Sequence, residues 1–148
     1  MDGHVTHVAV RMVHVLAATV LVGGSLGMAV AGWATPGADR GSSFIAAAAR
    51  YEVAFWVAFG AIVATGIGNL DVFGLGLPGP ETEWGRTFSL KLALVFVLML
   101  LSAVRALAVV RLRDLGAMYR PHLVARWYGM SAAIAGVTGG AAVWLAHG

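Results

Sequence analysis

The sequence predicts an all-α protein: a polytopic membrane four-helix bundle with both termini on the extracytoplasmic side. Composition and pattern both support this fold class. Of the 148 residues, 59% are hydrophobic and 11% are charged, whereas about 25% of the residues in a soluble domain are charged. The apolar residues lie in four long runs. Each run has roughly the 20 residues that a helix needs to cross the hydrocarbon layer of a bilayer.

The four runs cover approximately residues 8–33, 51–73, 88–110 and 123–145. They are continuous rather than alternating, and lipid offers no hydrogen-bond partners to an exposed backbone, so each run is predicted to be a helix. No connector between them is long or polar enough to separate two domains. Residues 1–148 are therefore predicted to form a single transmembrane domain.

The three connectors differ in composition. Residues 34–50 contain proline and glycine and are predicted to form a loop with a short interfacial helix over 42–50. Residues 74–86 combine several glycines and prolines with two glutamates, which indicates a turn-rich acidic loop. Residues 111–126 form a basic connector.

The charged residues orient the four predicted helices. Arginines gather in the first and third connectors, whereas acidic residues gather in and beside the second. Because cytoplasmic loops are enriched in basic residues, the first and third connectors are predicted to be cytoplasmic and the second extracytoplasmic. We therefore expect a multi-pass integral protein of a bacterial cytoplasmic membrane. The first run shares some features with a cleaved signal peptide, but it is long for one, and we expect it to be retained.

The composition also restricts chemistry and partners. The chain has no cysteine, which leaves histidine, methionine and oxygen atoms as metal ligands. Its net charge is +3, but the basic residues flank apolar runs instead of forming a stripe, so nucleic acid is not an expected partner. The lipid bilayer is the expected surrounding. Recurrent glycine and alanine on the second and fourth runs indicate close helix packing, and a homodimer or another membrane-protein partner is left open.

Ionisable residues inside membrane spans are costly and therefore mark candidate sites. His4, His7, Arg11 and His14 are spaced three, four and three residues apart at the start of the first run, which places them on one face of a helix. Alternatively, His4 and His7 are solvated at the interface and only His14 is buried. Three further candidate ligands belong to the same outer end of the predicted bundle: Met1, Met12 and His147.

His14, Asn69 and Lys91 form the predicted site. Measured from the outer ends of the predicted helices, they lie about 9, 6 and 5 Å deep at the helical rise per residue. Three helices thus place an imidazole, an amide and an amine in one outward-facing layer. Alternatively, Lys91 extends its amine to the interface. Arg105 is about one and a half turns from the cytoplasmic end of its helix and is expected to extend to the interface, where His122 is also expected.

The first run resembles the first helix of the copper-resistance D (CopD) domain family. The similarity covers residues 11–24, in which Arg11 and His14 are followed by small apolar residues and a Gly-Gly pair. Leu21 stands where that family has a tryptophan.

Two further segments carry the same resemblance. Thr65-Gly66 resembles the Thr-Gly segment at the end of the family's second helix, and Arg86 and Lys91 match its Gly-Arg-x-x-x-x-Lys segment at the third. Arg105 falls where that helix often ends in Asn-Arg. The resemblance implies a four-helix membrane protein that handles copper.

The chain is more distantly similar to the HemJ-type protoporphyrinogen oxidases. These proteins share the four-helix outline, an Arg-x-x-His in the first helix and a lysine at the start of the third. The similarity implies that His14 is a haem ligand and Lys91 its functional partner. In a haem site, Arg11 or Arg86 would lie near the propionates.

Copper handling is the first functional hypothesis, meaning uptake, tolerance or delivery at the extracytoplasmic face. Copper binds imidazole and thioether ligands, and both kinds are present at that end. The candidate ligands are Met1, His4, His7, Met12, His14 and His147. No energy-coupling motif is found, which favours acquisition or sensing of copper at the outer face over pumping, and enzymatic activity is not the first expectation.

Two alternatives are kept. In the first, the chain is a b-type haem-binding redox protein or porphyrinogen oxidase, which would make it a haem-dependent membrane oxidoreductase. In the second, it is a non-catalytic membrane assembly subunit in which His14, Asn69 and Lys91 form a structural polar cluster. Interhelical hydrogen bonds of this kind contribute about 0.6 kcal/mol on average, enough to favour one helix register.

Overall fold

The structure, a computed structural model, describes residues 2–35, 38–68, 79–115 and 121–147. Within these ranges, the side chains of residues 2–4, 38–40, 68, 115, 142 and 145–147 are outside the description. The described residues form the helices α1 (Asp2–Trp33), α2 (Ala38–Gly68), α3 (Glu83–Leu115) and α4 (Pro121–His147). The all-α prediction is confirmed.

Three of the helices are long and apolar enough to cross a membrane. The stretches that qualify are Val5–Trp33 in α1, Gly41–Ile67 in α2 and Glu83–Asp114 in α3. The described residues of α4 do not add a fourth such stretch. Many large apolar side chains on these helices face outward; for example, Val57 is 70% exposed and Leu107 is 67% exposed. An outer surface this rich in apolar side chains is suited to lipid rather than to water.

Helix α2 begins earlier than the sequence analysis predicts. Residues 34–50 were expected to be a connector with a separate short helix over 42–50, but residues 38–50 form one continuous helix with the apolar run that follows. Four consecutive alanines, at positions 46–49, favour the helix because alanine has the highest helix propensity. Phe44 and Ala48, four residues apart, are both buried in the core, so packing stabilises this part of α2 as well.

The helices pack in a cyclic order. α1 contacts α2 and α4, and α3 contacts the same two helices. The buried apolar residues form two clusters. The first, the Phe55 cluster, consists of Ala17, Leu21, Phe55, Ala58, Phe59 and Leu98. The second, the Phe44 cluster, consists of Ala29, Phe44, Ala48, Val109, Val124 and Tyr128.

The neighbouring glycines Gly23 and Gly24 provide a matched test of helix packing. A Cβ atom at Gly24 would overlap the ring of Tyr51, whereas a Cβ atom at Gly23 would meet nothing within 4 Å. The Tyr51 ring cannot easily move, because its hydroxyl donates to the Val20 carbonyl oxygen at 3.0 Å and bonds Ser25 Oγ at 2.9 Å.

We therefore expect Gly24→Ala to destabilise the protein by about 1–3 kcal/mol through overpacking. Gly23→Ala should be neutral or stabilising by about 0.5–1 kcal/mol, because alanine costs less conformational entropy in a helix than glycine. Thermal unfolding of the two purified variants in detergent measures the difference. Equal midpoints for the two variants would contradict the close approach of α1 and α2 at Gly24.

Candidate functional site

His14 and Thr65 join α1 to α2 near one end of the molecule. The distance from His14 Nδ1 to Thr65 Oγ1 is 2.7 Å, and Thr65 Oγ1 donates to the Ala61 carbonyl oxygen at 2.6 Å. A hydroxyl has a single proton. In the arrangement in which Thr65 donates that proton to Ala61, the hydroxyl accepts a hydrogen bond from His14, and the His14 ring carries its proton on Nδ1.

This arrangement leaves the other ring nitrogen available. With the proton on Nδ1, Nε2 of neutral His14 carries a lone pair, and no other hydrogen bond of His14 occurs among the described residues. Metal-binding histidines typically have this geometry, in which one nitrogen binds the metal and the other donates to a neighbouring oxygen. The bond to Thr65 therefore fixes the orientation of the His14 ring, and the tautomer with its proton on Nδ1 is the one that leaves Nε2 able to bind a metal.

Lys91 of α3 lies near His14. Its side chain is partly buried and is within range of an electrostatic interaction with the His14 ring. His14 of α1 and Thr65 of α2 are hydrogen-bonded, and Lys91 of α3 is the nearby charge. We call these three residues the His14 site.

The remaining predicted site residues are more dispersed. His7 and Arg11 are exposed on α1. Met12 is 59% exposed and lies about 200° around the helix from His14, so it points away from the site. Arg86 is exposed, and its Nη2 atom donates to the Glu81 carbonyl oxygen at 3.4 Å.

Four other candidates fall outside what the structure describes. Met1 and Asn69 lie in undescribed parts of the chain. His4 and His147 belong to α1 and α4, but their side chains are outside the description. Among the side chains that are described, no group of three or more His, Cys, Asp or Glu residues could hold a metal ion.

A second polar group lies in the core, centred on Arg105 of α3. Arg105 was expected to extend to the cytoplasmic interface, but its side chain is fully buried. Its Nε atom donates to Glu52 Oε1 at 2.7 Å, and its Nη2 atom donates to Glu52 Oε2 at 3.2 Å. The two parallel bonds match the planar guanidinium to the carboxylate. The prediction that Arg105 reaches water at the interface is therefore wrong. Its guanidinium is instead paired with Glu52 of α2 inside the core.

Other side chains complete the surroundings of this ion pair. The Tyr128 hydroxyl of α4 donates to Glu52 Oε1 at 2.7 Å, and Arg105 Nη1 donates to Ser131 Oγ. The guanidinium lies between two aromatic rings, 4.4 Å from the centroid of Phe55 and 4.5 Å from that of Tyr128, a geometry suited to cation–π attraction. The ion pair therefore joins α2, α3 and α4.

Sequence reasoning missed Glu52. The residue stands two positions after Arg50, at the edge of the predicted second span, where a charge would ordinarily be solvated. The available signal was its opposite charge to Arg105 in the next predicted span. Both lie near the ends of their runs that the sequence analysis predicts to be cytoplasmic, so they are at comparable predicted depth. Comparing the depths of opposite charges on different helices could have suggested the pair.

Comparisons of the chain with known protein families, with curated proteins and with solved structures found no match.

Proposed function

We propose that the chain is a multi-pass integral membrane protein that binds copper at the extracytoplasmic end of its helices, with His14 Nε2 as a ligand. The observation that carries this proposal is the hydrogen bond between His14 Nδ1 and Thr65 Oγ1, at 2.7 Å, a bond in which Nε2 takes no part. Imidazole is a ligand for both oxidation states of copper. The proposed role is acquisition or delivery of copper at that face.

The proposed topology has four membrane crossings in a bacterial cytoplasmic membrane. The 27 residues of α4 extend about 40 Å as a helix, long enough for the fourth crossing. An even number of crossings leaves both termini on one side. The arginines near the opposite ends of the helices favour the cytoplasm there, so His14 lies toward the extracytoplasmic side.

The resemblance to the CopD family supports the choice of copper. The three segments that carry the resemblance contain His14, Thr65 and Lys91, and these three residues make up the His14 site. Further ligands are proposed from the same end of the chain, where α1 begins and α4 ends; the candidates are Met1, His4 and His147. His7 is about 10.5 Å along the helix from His14, which is too far for both residues to bind one ion.

Thr65 is expected to position His14 for metal binding. Replacing Thr65 by Val keeps the shape of the side chain but removes the oxygen that accepts from Nδ1, so the ring loses its fixed tautomer. Loss of such a partner typically lowers metal affinity by about 10- to 100-fold. A competition titration with copper measures this loss, and Thr65→Ser, which retains the hydroxyl, should bind nearly as well as the original chain. Equal copper affinity in Thr65→Val would contradict the positioning role.

Haem b is the second candidate, and Lys91 is the observation that favours it. A cation beside His14 opposes the binding of a bare metal cation but suits a cofactor that carries carboxylates. In this case His14 Nε2 would be an axial ligand and Lys91 would pair with a propionate, as the similarity to HemJ-type proteins implies. When bound, haem would supply electron-transfer or oxidation chemistry.

One preparation distinguishes these functions. The chain is purified in detergent, and bound metals and the reduced-minus-oxidised absorption spectrum are measured on the same sample. Stoichiometric copper without a Soret band is the expected result. A Soret band that is lost in His14→Ala would contradict the copper proposal and identify haem as the cofactor. Neither signal after reconstitution with copper and with haem would contradict both, and would leave the assembly-subunit hypothesis.

A further inference from the structure

Three arginines stand at matching positions on three helices. Ala48 of α2, Val109 of α3 and Val124 of α4 are all buried members of the Phe44 cluster. An arginine follows each of them by two residues in the sequence; the three arginines are Arg50, Arg111 and Arg126. Since the three cluster residues pack together, the arginines lie at a similar level along the helices.

Helix geometry turns these arginines outward. Two residues along an α-helix correspond to about 200° of rotation, so a side chain that follows a buried residue by two positions leaves from nearly the opposite face. In agreement, Arg50, Arg111 and Arg126 are all exposed. The three side chains therefore leave three of the four helices, α2, α3 and α4, at a similar level, and we call them the arginine belt.

The arginine belt has no acidic partner among the described residues. The ion pair found there joins Arg105 to Glu52, inside the core and away from the belt. Asp114 is exposed one turn beyond Arg111 but does not form a salt bridge with it. At the other end of the molecule, the exposed Glu81 and Glu83 would repel an anion.

We propose that the arginine belt binds the phosphate groups of anionic phospholipids. The belt surrounds helices whose outer faces are apolar, so the nearest anions in a membrane are the lipid headgroups. A guanidinium binds phosphate oxygens through two parallel hydrogen bonds. Each basic residue near an anionic membrane surface contributes about 1 kcal/mol, or roughly a fivefold change in affinity.

The test compares lipid binding by two variants of the full chain in detergent. The first is the triple variant R50Q/R111Q/R126Q, and the control is R11Q, which removes an exposed arginine near the opposite end. Native mass spectrometry counts bound phosphatidylglycerol and phosphatidylcholine on each protein, and circular dichroism checks that each variant is folded. A Tm shift on addition of lipid provides a second measurement of binding.

We expect the original chain and R11Q to bind phosphatidylglycerol more tightly than phosphatidylcholine. The triple variant should lose about 100-fold in affinity for phosphatidylglycerol, as three contacts of about fivefold each predict. An unchanged affinity in the folded triple variant would overturn the proposal, and so would an equal loss in R11Q. Inorganic phosphate is the third probe: if it competes with the lipid at equal concentration, the site binds free phosphate and the lipid assignment is wrong.

Discussion

Replacing Glu52 by Ala is expected to lower the free energy of unfolding by about 3–5 kcal/mol. The carboxylate accepts two bonds from Arg105 and one from Tyr128. Its removal leaves a guanidinium in the core without a counter-charge, and a buried unpaired charge is far more costly than a missing contact. Reversible unfolding in mixed detergent micelles measures the change.

A double-mutant cycle separates the ion pair from the rest of the core. Arg105→Met removes the charge while keeping an unbranched apolar side chain, and it should destabilise the protein by a similar amount. The double variant Glu52→Ala/Arg105→Met has no buried charge, so it should lose less than the sum of the two single variants. If the two losses were additive, the residues would not be coupled, and the buried pair would be contradicted.

Replacing His14 by Ala is expected to reduce copper affinity by more than the 10- to 100-fold expected for Thr65→Val. The reason is that His14→Ala removes a ligand itself, whereas Thr65→Val removes only the group that orients it. A competition titration measures the affinity. His122→Ala is the matched control. His122 is exposed near the start of α4, and its ring packs against Trp33, which ends α1 far from His14.

The stability of His14→Ala separates copper binding from a structural role. A lower thermal midpoint with unchanged copper binding would contradict the proposed function and favour the assembly-subunit hypothesis. Unchanged copper binding in the variant at an unchanged midpoint would also contradict it. The expected result is a large loss of copper with the folded structure retained.

The fold class could be predicted from the sequence because long apolar runs leave few structural alternatives in lipid. The helix boundaries were less accessible. The start of α2 depends on the burial of Phe44 and Ala48 against other helices. The nearby proline and glycines indicate a turn and carry no information about that burial. Local turn signals therefore predicted a connector with a separate short helix where tertiary packing stabilises one continuous helix.

The His14 site and the Arg105–Glu52 pair differ in how well they could be predicted from the sequence. His14 and Lys91 stand out because they are ionisable residues within apolar runs and their depths match. The partner of Arg105 was harder to identify: comparable depth can suggest Glu52, but an arginine near a helix end can reach water as easily as it can reach a carboxylate. Only the packing of α2 against α3 brings Glu52 to Arg105.

The most direct test of the central claim is the ring 15N NMR spectrum of His14 before and after addition of copper(I). The protein is labelled at its histidines, and His14→Gln identifies the His14 signals. Before copper, the spectrum should show a protonated Nδ1 and an unprotonated Nε2. Copper should shift the Nε2 signal while Nδ1 stays protonated. A spectrum that copper leaves unchanged, or one in which Nδ1 releases its proton and binds the metal in place of Nε2, would contradict the account.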